Sequence, residues 1–499
     1  MFHKKKYVTV GLAIAATIGV LISVKLIFFS HPVCKDCNVI LISLDTLSAN
    51  HLPCYGYNRN TAPNLCKFGE DNIMFTNMYA NASWTLPSHV SIFTGLYPSQ
   101  HKVNAIYKDV LSPNIAFLPD ILRKNGYNTY FYMGYQTYYE TPPYNPLLPI
   151  DKVYNRGIDE IHNAYNTSDW KEGLQKLKTN NDSGKKTFLF LHTYWTHKPY
   201  LFTQDEKRQF INNTYEDPND PSIKWNGCAE ADQFIPFLEK ELKRDIDAHY
   251  WEEDKALNPI YKQIYNYLIT STDDKKATCD VINENWYWQL EWYYYTFHNP
   301  KLEQANKRDH LAYTVNLYDS KIFELDSQMK NIFSFIDASN LKRNTIIIVT
   351  SDHGEEFLEH GQFAHENNLY DTTVKVPLMI YIPGQGKQTN TGLTESVDLF
   401  PTLLRLIGIK QSFVLSGRDI FAFNPDQKYA VSEQIHEGGV IRTIRDLNWK
   451  LILKQGNPVE LYNYAKDKKE QTNLIKEGGG VRDSLKSKLR GILSIEQRQ

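Results

Sequence analysis

The run Asn344-Thr345-Ile346-Ile347-Ile348-Val349-Thr350, followed directly by Ser351-Asp352-His353-Gly354-Glu355, decides the fold. An apolar run without polar alternation suits a strand covered on both faces, as in a parallel sheet between helices. The polar residues after it fall at the strand's carboxyl end, where α/β sheets collect ligands. Working outward, Asn38-Val39-Ile40-Leu41-Ile42-Ser43-Leu44 repeats the pattern and ends at Asp45-Thr46. Thr187–His192 repeats it again and leads into Thr196-His197-Lys198-Pro199-Tyr200. Further strands are expected over Ile73–Met78, Tyr127–Met133 and Lys375–Ile382. Helices are expected over Pro63–Asp71, Leu118–Lys124, His310–Ile336 and Ser396–Ile407. Beyond these, Tyr429–Glu433, Val440–Ile444, Trp449–Leu453 and Glu460–Tyr462 read as a small antiparallel sheet, with a last helix near Val481–Leu493.

The segment from Trp84 to Val103 supplies a reactive group. Pro87 suits the first helical position because it needs no amide partner there. Val90, Phe93 and Leu96 follow at helical spacing, and Thr94-Gly95 supplies a stop. Thr85 is thus expected just before the helix, where unpaired N–H groups and the positive dipole end favour an anion. Its hydroxyl either caps the helix or faces a phosphate- or sulfate-like group.

At 499 residues the chain can bury a large core. A net charge of −2 without a long basic run excludes nucleic acid as a favoured partner. Lys4-Lys5-Lys6 precede an uncharged run from Tyr7 to Val24, and Leu26-Ile27-Phe28-Phe29 follow Lys25. That length predicts a single-pass signal-anchor helix in residues 1–30 with the catalytic domain extracytoplasmic; a cleaved signal peptide is the alternative. Six cysteines fit such a compartment. Cys54–Cys66 and Cys228–Cys279 are the natural pairings, and Cys34-Lys35-Asp36-Cys37 reads as a local disulfide or free thiols. Residues 31–425 form the expected catalytic domain and 426–499 a C-terminal subdomain. Within the first, residues of about 201–308 read as a mostly helical insertion. Its aromatics are either a platform for a sugar or lipid or the insertion's own small core.

Asp45, Thr85, Asp352 and His353 offer two carboxylates, a hydroxyl and an imidazole, a plausible set of four metal ligands. The nitrogen donor favours zinc or manganese over calcium, with calcium and magnesium left open. His197 and His365 are further site candidates. Together these motifs resemble the sulfatase branch of the alkaline phosphatase superfamily. The resemblance is carried by Asn38–Asp45 with Tyr55-Gly56-Tyr57, by Thr85–Gly95, by His197-Lys198-Pro199-Tyr200 and by Ser351–Glu355. It continues through Glu359-His360-Gly361, Leu369-Tyr370, Val376-Pro377-Leu378, Trp449-Lys450-Leu451 and Glu460-Leu461-Tyr462. It implies an α/β fold with a large mixed, mostly parallel sheet sandwiched by helices and a small C-terminal antiparallel sheet.

The same resemblance puts Thr85 at the position of the cysteine or serine that sulfatases convert to formylglycine, and His89 where arginine stands. His353 replaces the usual asparagine ligand. These departures resemble the Thr-nucleophile phosphoethanolamine transferases and lipoteichoic acid synthases, which implies Asp45, Thr85, Asp352 and His353 on one metal and His365 against the phosphoryl group. The expected activity is metal-dependent hydrolysis of a sulfate or phosphate ester through a covalent intermediate on Thr85. His197 or His365 would move the proton, and Lys198 either neutralises charge or is an exposed, solvated lysine. Expected substrates are sulfated or phosphorylated glycans, lipids or small esters. The alternatives are a transferase of the phosphoethanolamine or phosphoglycerol type acting on a glycan or lipid, and an inactive glycan-binding relative.

Overall fold

The computed structural model describes residues 33–105, 109–133, 156–164, 167–197, 200, 209–210, 215–217, 220–225, 304–410, 413–422, 429–436 and 439–494. Thirteen strands matter here: β1 (Asn38–Leu44), β2 (Ile73–Tyr79), β3 (Tyr127–Met133), β4 (Glu160–Asn163), β5 (Lys186–Thr193), β6 (Thr345–Thr350), β7 (Lys375–Tyr381), β8 (Gln388–Asn390), β9 (Thr394–Glu395), β10 (Ala430–His436), β11 (Gly439–Arg445), β12 (Trp449–Lys454) and β13 (Asn457–Asn463). The first nine form one sheet in the order β8-β2-β7-β6-β1-β5-β3-β4, with β9 also paired to β2. β1 lies parallel between β5 and β6, while β7 runs antiparallel to both β2 and β6. The last four strands form the antiparallel sheet at the C-terminal end. The expected architecture is therefore observed.

Both faces of the sheet are buried, which is why its central strands lack polar alternation. Val39 and Leu41 of β1, with Phe188, Phe190, Ile346 and Ile348, pack against Val90 and Phe93 of helix α2 (Thr85–Thr94) and Leu399 and Leu403 of helix α6 (Leu399–Leu406). Ile40, Ile42, Leu189, Leu191, Ile347 and Val349 face the other way. They meet helices α1 (Pro63–Asp71), α4 (Trp170–Asp182) and α5 (Gln304–Ala338). Helix α3 (Leu118–Lys124) precedes β3 and helix α7 (Gly479–Leu493) packs on the C-terminal sheet. Buried Asp326 of α5 accepts the backbone N–H groups of Asn64 and Leu65 at 3.0 and 2.7 Å, satisfying free donors at the start of α1.

One expectation changes. The single-pass anchor with an extracytoplasmic domain is not supported: among the described residues no helix is long and apolar enough to cross a membrane. The 35-residue α5 has the length, but Asp319, Lys321, Glu324, Asp326 and Lys330 lie along it. Residues 1–30, where the anchor was expected, lie outside the described residues. Within the stretch read as an insertion, Tyr215–Asp217 and Asp220–Trp225 pair as a short antiparallel hairpin; most of that stretch, with Cys228 and Cys279, lies outside the described residues. Cys54–Cys66 is a disulfide as expected, and Cys34–Cys37 is the local disulfide.

Candidate active site

The register of β1 with its neighbours sets the site. Ser43 stands level with His192 of β5 and Thr350 of β6, so the residues just beyond these strands share one end of the sheet. The chain leaves β1 through Asp45 and turns sharply at Thr46, whose φ is +56°. A β-branched residue rarely adopts that conformation. It is held by bonds from the Thr46 hydroxyl to the Thr196 carbonyl (2.7 Å), from the Thr196 hydroxyl to the Asp45 carbonyl, and from the Tyr318 hydroxyl to the Thr46 carbonyl (2.6 Å). The turn leaves the Asp45 carboxylate fully buried, with neither oxygen hydrogen-bonded.

Helix α2 begins at Thr85, two residues earlier than its proline suggests, with Trp84 as N-cap. Pro87 is tolerated inside the first turn because N–H groups there have no helical acceptor. The Thr85 hydroxyl is not used as a cap. It lies 3.4 Å from His353 Nε2 and is half-buried, within reach of a ligand. Ser88, one turn on, donates to the Asp352 carbonyl and ties the helix start to the loop after β6.

That loop presents Asp352 and His353, both fully buried. Asp352 Oδ1 accepts the backbone N–H groups of His353 (3.0 Å) and Thr46 (3.4 Å), which leaves Oδ2 turned inward without a partner. His353 Nδ1 donates to the Gly354 carbonyl at 2.9 Å, since a carbonyl can only accept. Its Nε2 therefore carries a lone pair, 3.3 Å from Asp45 Oδ1 and 3.5 Å from Asp352 Oδ2. Gly354 is obligatory: a Cβ there would stand 2.1 Å from the Thr372 carbonyl oxygen.

Such a group of lone pairs repels itself unless a cation lies among them. Burial, then repulsion from Asp352 and Glu355, pushes the Asp45 carboxyl well above the usual carboxylate range. Burial acts the same way on Asp352, whose ionised form is favoured in turn by the backbone N–H groups of His353 and Thr46 on its Oδ1. Asp45, Asp352 and His353 bring ligand atoms within 4.8 Å of one another, and two hard oxygens with one imidazole suit a divalent metal. The residues fit the group on their own chemistry, and a hydroxyl stands beside them.

His365 borders this group, its ring 4.5 Å from that of His353. Ala364 and Glu366 on either side have φ of +68° and +81°, so the loop is kinked to present the imidazole. Buried Glu355 accepts from His365 Nδ1 at 2.9 Å and from the Tyr200 hydroxyl at 3.0 Å, which fixes the ring's tautomer. His197 lies one ring further out, 5.0 Å from His365. The structure thus gathers Asp45, Thr85, Asp352, His353, His365 and His197 at one end of the sheet; Lys198 lies outside the described residues.

Sequence reasoning missed three side chains here. Glu355 was seen only as part of the segment after β6. His192 reads as a strand residue, and His89 stands out in the sequence only by occupying the place of an arginine. His89 is four residues past Thr85 and so on the same helical face, a spacing that could have found it. His192, one residue from the end of β5, gives no periodic signal.

Fold and site together define an α/β enzyme-like scaffold with a hydroxyl, two carboxylates and imidazoles at the carboxyl end of its sheet. The chain belongs to the sulfatase family, whose model matches residues 37–409. It is 23% identical over 436 residues to iduronate 2-sulfatase of Mus musculus, covering 74% of this chain and 69% of that one. With N-acetylglucosamine-6-O-sulfatase of Bacteroides thetaiotaomicron it shares 21% identity, over 89% of this chain and 86% of that one. Among solved structures it resembles BT4656 in complex with its substrate D-glucosamine-2-N,6-O-disulfate, with a TM-score of 0.66, 17% identity and coverage of 93% and 100%. It also resembles the phosphonate monoester hydrolase of Agrobacterium radiobacter, with a TM-score of 0.63, 18% identity and coverage of 92% and 96%. At these identities the structural likeness concerns the fold.

Proposed function

We propose that the chain is a metal-dependent hydrolase of sulfate or phosphate esters with Thr85 as its nucleophile. The observation that carries this reading is the Thr85 hydroxyl beside His353 Nε2, at 3.4 Å, next to two buried carboxylates with unpartnered oxygens. Asp45, Asp352, His353 and the Thr85 hydroxyl would hold a divalent metal, zinc or manganese being favoured by the nitrogen donor; when bound, it would lower the hydroxyl's pKa and polarise the ester.

Thr85 Oγ1, having given its proton to solvent water before the ester binds, attacks the sulfur or phosphorus, and the bond to the leaving oxygen breaks as the new ester bond forms. Protonated His365 gives its Nε2 proton to the departing oxygen. Glu355, bonded to Nδ1, stabilises the imidazolium before that transfer and keeps the ring oriented after it. Neutral His365 then takes a proton from water, the hydroxide attacks the Thr85 ester, and Thr85 is released with sulfate or phosphate. His197, 5.0 Å from His365, is the second candidate for the proton transfer.

Sulfated glycans are the substrate class we favour, because the relatives named above act on iduronate and N-acetylglucosamine sulfates and one structural neighbour holds a disulfated glucosamine. The phosphonate monoester hydrolase neighbour keeps phosphorus esters within the reading. Transfer to an alcohol requires only that the alcohol replace water in the second step.

Metal content and activity of the wild type and Thr85→Ala, measured on aryl sulfate, phosphomonoester and phosphodiester substrates, test this. The expected result is bound metal and activity lost in the variant. Metal-free active protein, or turnover that survives the substitution, overturns it. Product trapping with an added alcohol separates hydrolysis from transfer.

A further inference from the structure

His89 on α2, His192 at the end of β5 and Asp352 after β6 come from three elements, and all three are fully buried. The two imidazoles meet edge-on, with centroids 4.7 Å apart and planes at 90°. Their candidate ligand atoms and a carboxylate oxygen of Asp352 lie within 4.8 Å of one another. His89 Nδ1 is 3.9 Å from Asp352 Oδ2. Neither nitrogen of His192, nor His89 Nδ1, nor Asp352 Oδ2 makes a hydrogen bond.

A buried imidazole with unused nitrogens is costly, and hydrophobic side chains would fill the same volume without that cost. The wall around the pair is aromatic: Phe190 lies edge-on to His89 at 5.4 Å, and Phe93 is 6.4 Å away. The far nitrogen of His89 is already committed, its Nε2 lying 2.9 Å from the Ser43 hydroxyl. A ligand imidazole typically has its outer nitrogen anchored in this way while the inner one is left for the ion.

We propose that His89, His192 and Asp352 form a second buried cation site adjoining the Thr85 site, with Asp352 shared between the two. Asp352 Oδ1 is occupied by backbone N–H groups, so Oδ2 is the atom facing both His353 Nε2 at 3.5 Å and His89 Nδ1 at 3.9 Å. Two imidazoles and one carboxylate oxygen select a nitrogen-preferring divalent ion of the zinc class over calcium or magnesium. The hydroxyl nearest these side chains, that of Ser43, is bonded to His89 Nε2, and Asp45 Oδ2 lies 4.0 Å from His192 Nε2; an ion held by three fully buried side chains would fix the Asp352 carboxylate rather than meet substrate. The inference rests on the reading of Asp352 as a ligand, but not on Thr85 chemistry.

Elemental analysis of the full chain, loaded with zinc and dialysed, tests it. Two zinc ions per chain are expected in the wild type and one in each of His192→Gln, His89→Gln and Asp45→Asn. Should the glutamine variants fail to fold, cobalt titration of the wild type replaces them, with two separable sets of visible bands expected. One ion in the wild type, lost in Asp45→Asn and kept in His192→Gln, overturns this proposal and leaves the Thr85 reading intact. One ion kept in Asp45→Asn and lost in His192→Gln upholds the proposal and removes the metal from the Thr85 reading. A single cobalt transition in the folded wild type, with one ion bound at saturation, also overturns it.

Discussion

Two groups of buried carboxylates in this molecule have opposite characters. At Asp371, just before β7, the chain supplies its own cations. Arg445 of β11 places Nη1 at 2.8 and 2.9 Å from the two Asp371 oxygens, and Lys450 of β12 reaches Asp371 at 2.9 Å and Glu470 at 2.6 Å. The Arg445 guanidinium is held between the rings of Tyr79 and Tyr464, 4.1 and 3.9 Å from their centroids. Burial pushes the Asp371 carboxyl up, but Arg445, Lys450 and Lys375 outweigh it and hold it below the usual range. At Asp45 and Asp352 the facing groups are imidazoles, and three carboxylate oxygens have no hydrogen bond. Where the sequence provides arginine and lysine, the buried charge joins the C-terminal sheet to the main sheet. Where it withholds them, the buried oxygens face imidazoles, with no arginine or lysine paired to them among the described residues.

The largest expected effect tests the second half of that contrast. Thr85→Ala should lower kcat by about 10⁴-fold or more, the scale for loss of a covalent nucleophile. Asp45→Asn should also abolish turnover, and in chelator it should raise the melting temperature, because it removes a repulsion that no cation then offsets. The first half predicts the reverse sign. Asp371→Asn leaves Arg445 and Lys450 buried with one acid fewer, and should destabilise by about 3–5 kcal/mol in urea denaturation, with or without chelator. If both asparagine variants shift stability in the same direction in chelator, the distinction between the two groups fails.

A smaller effect concerns the proton. His365→Ala should cost about 10²–10⁴-fold in kcat on an alkyl ester, the usual range for a general acid. The loss should shrink on a nitrophenyl ester, whose leaving group departs without a proton. Glu355→Gln should reduce kcat less than His365→Ala and move the alkaline limb of the pH–rate profile on the alkyl ester to lower pH, because the imidazolium loses the carboxylate bonded to its Nδ1. An equal loss on both esters would mean that His365 binds substrate rather than protonating the leaving group.

The difference between the two regions also explains what could be read from the sequence. Asp45 and Asp352-His353 were legible because an apolar strand that stops at a polar residue marks a sheet end, and three such strands were plain. The spacing of Thr85 from Pro87 and Gly95 put it near a helix start but left its hydroxyl open between a cap and a ligand, and only the resemblance gave it the nucleophile's place; the helix in fact starts earlier than Pro87 suggests. Arg445, Lys450 and Glu470 are separated from Asp371 by 74 to 99 positions and carry no periodic signal. Long-range pairing is set by register between strands, which residue types do not encode. His192 stayed hidden for the same reason, since its strand reads as an ordinary buried run.

An effect confined to acid pH belongs to another buried imidazole, His101, which shows what His192 lacks. His101 Nδ1 accepts the Val103 N–H at 3.1 Å, and its Nε2 lies 3.2 Å from the Ser91 hydroxyl. Burial pushes the imidazole down to about 3. An unfolded chain takes up a proton near the ordinary histidine value of about 6.5, which the folded chain refuses until about pH 3. The depressed value therefore contributes stability that is complete above about pH 6.5 and is lost progressively as the pH falls towards 3. The slope should reach at most about 1.4 kcal/mol per pH unit. Urea denaturation at pH 7, 5 and 4 should show His101→Gln flattening this dependence while leaving the zinc content unchanged. A wild-type slope in that variant would place the acid sensitivity in other groups, whereas a lost zinc ion would mean that an imidazole satisfied by the chain still matters to the metal.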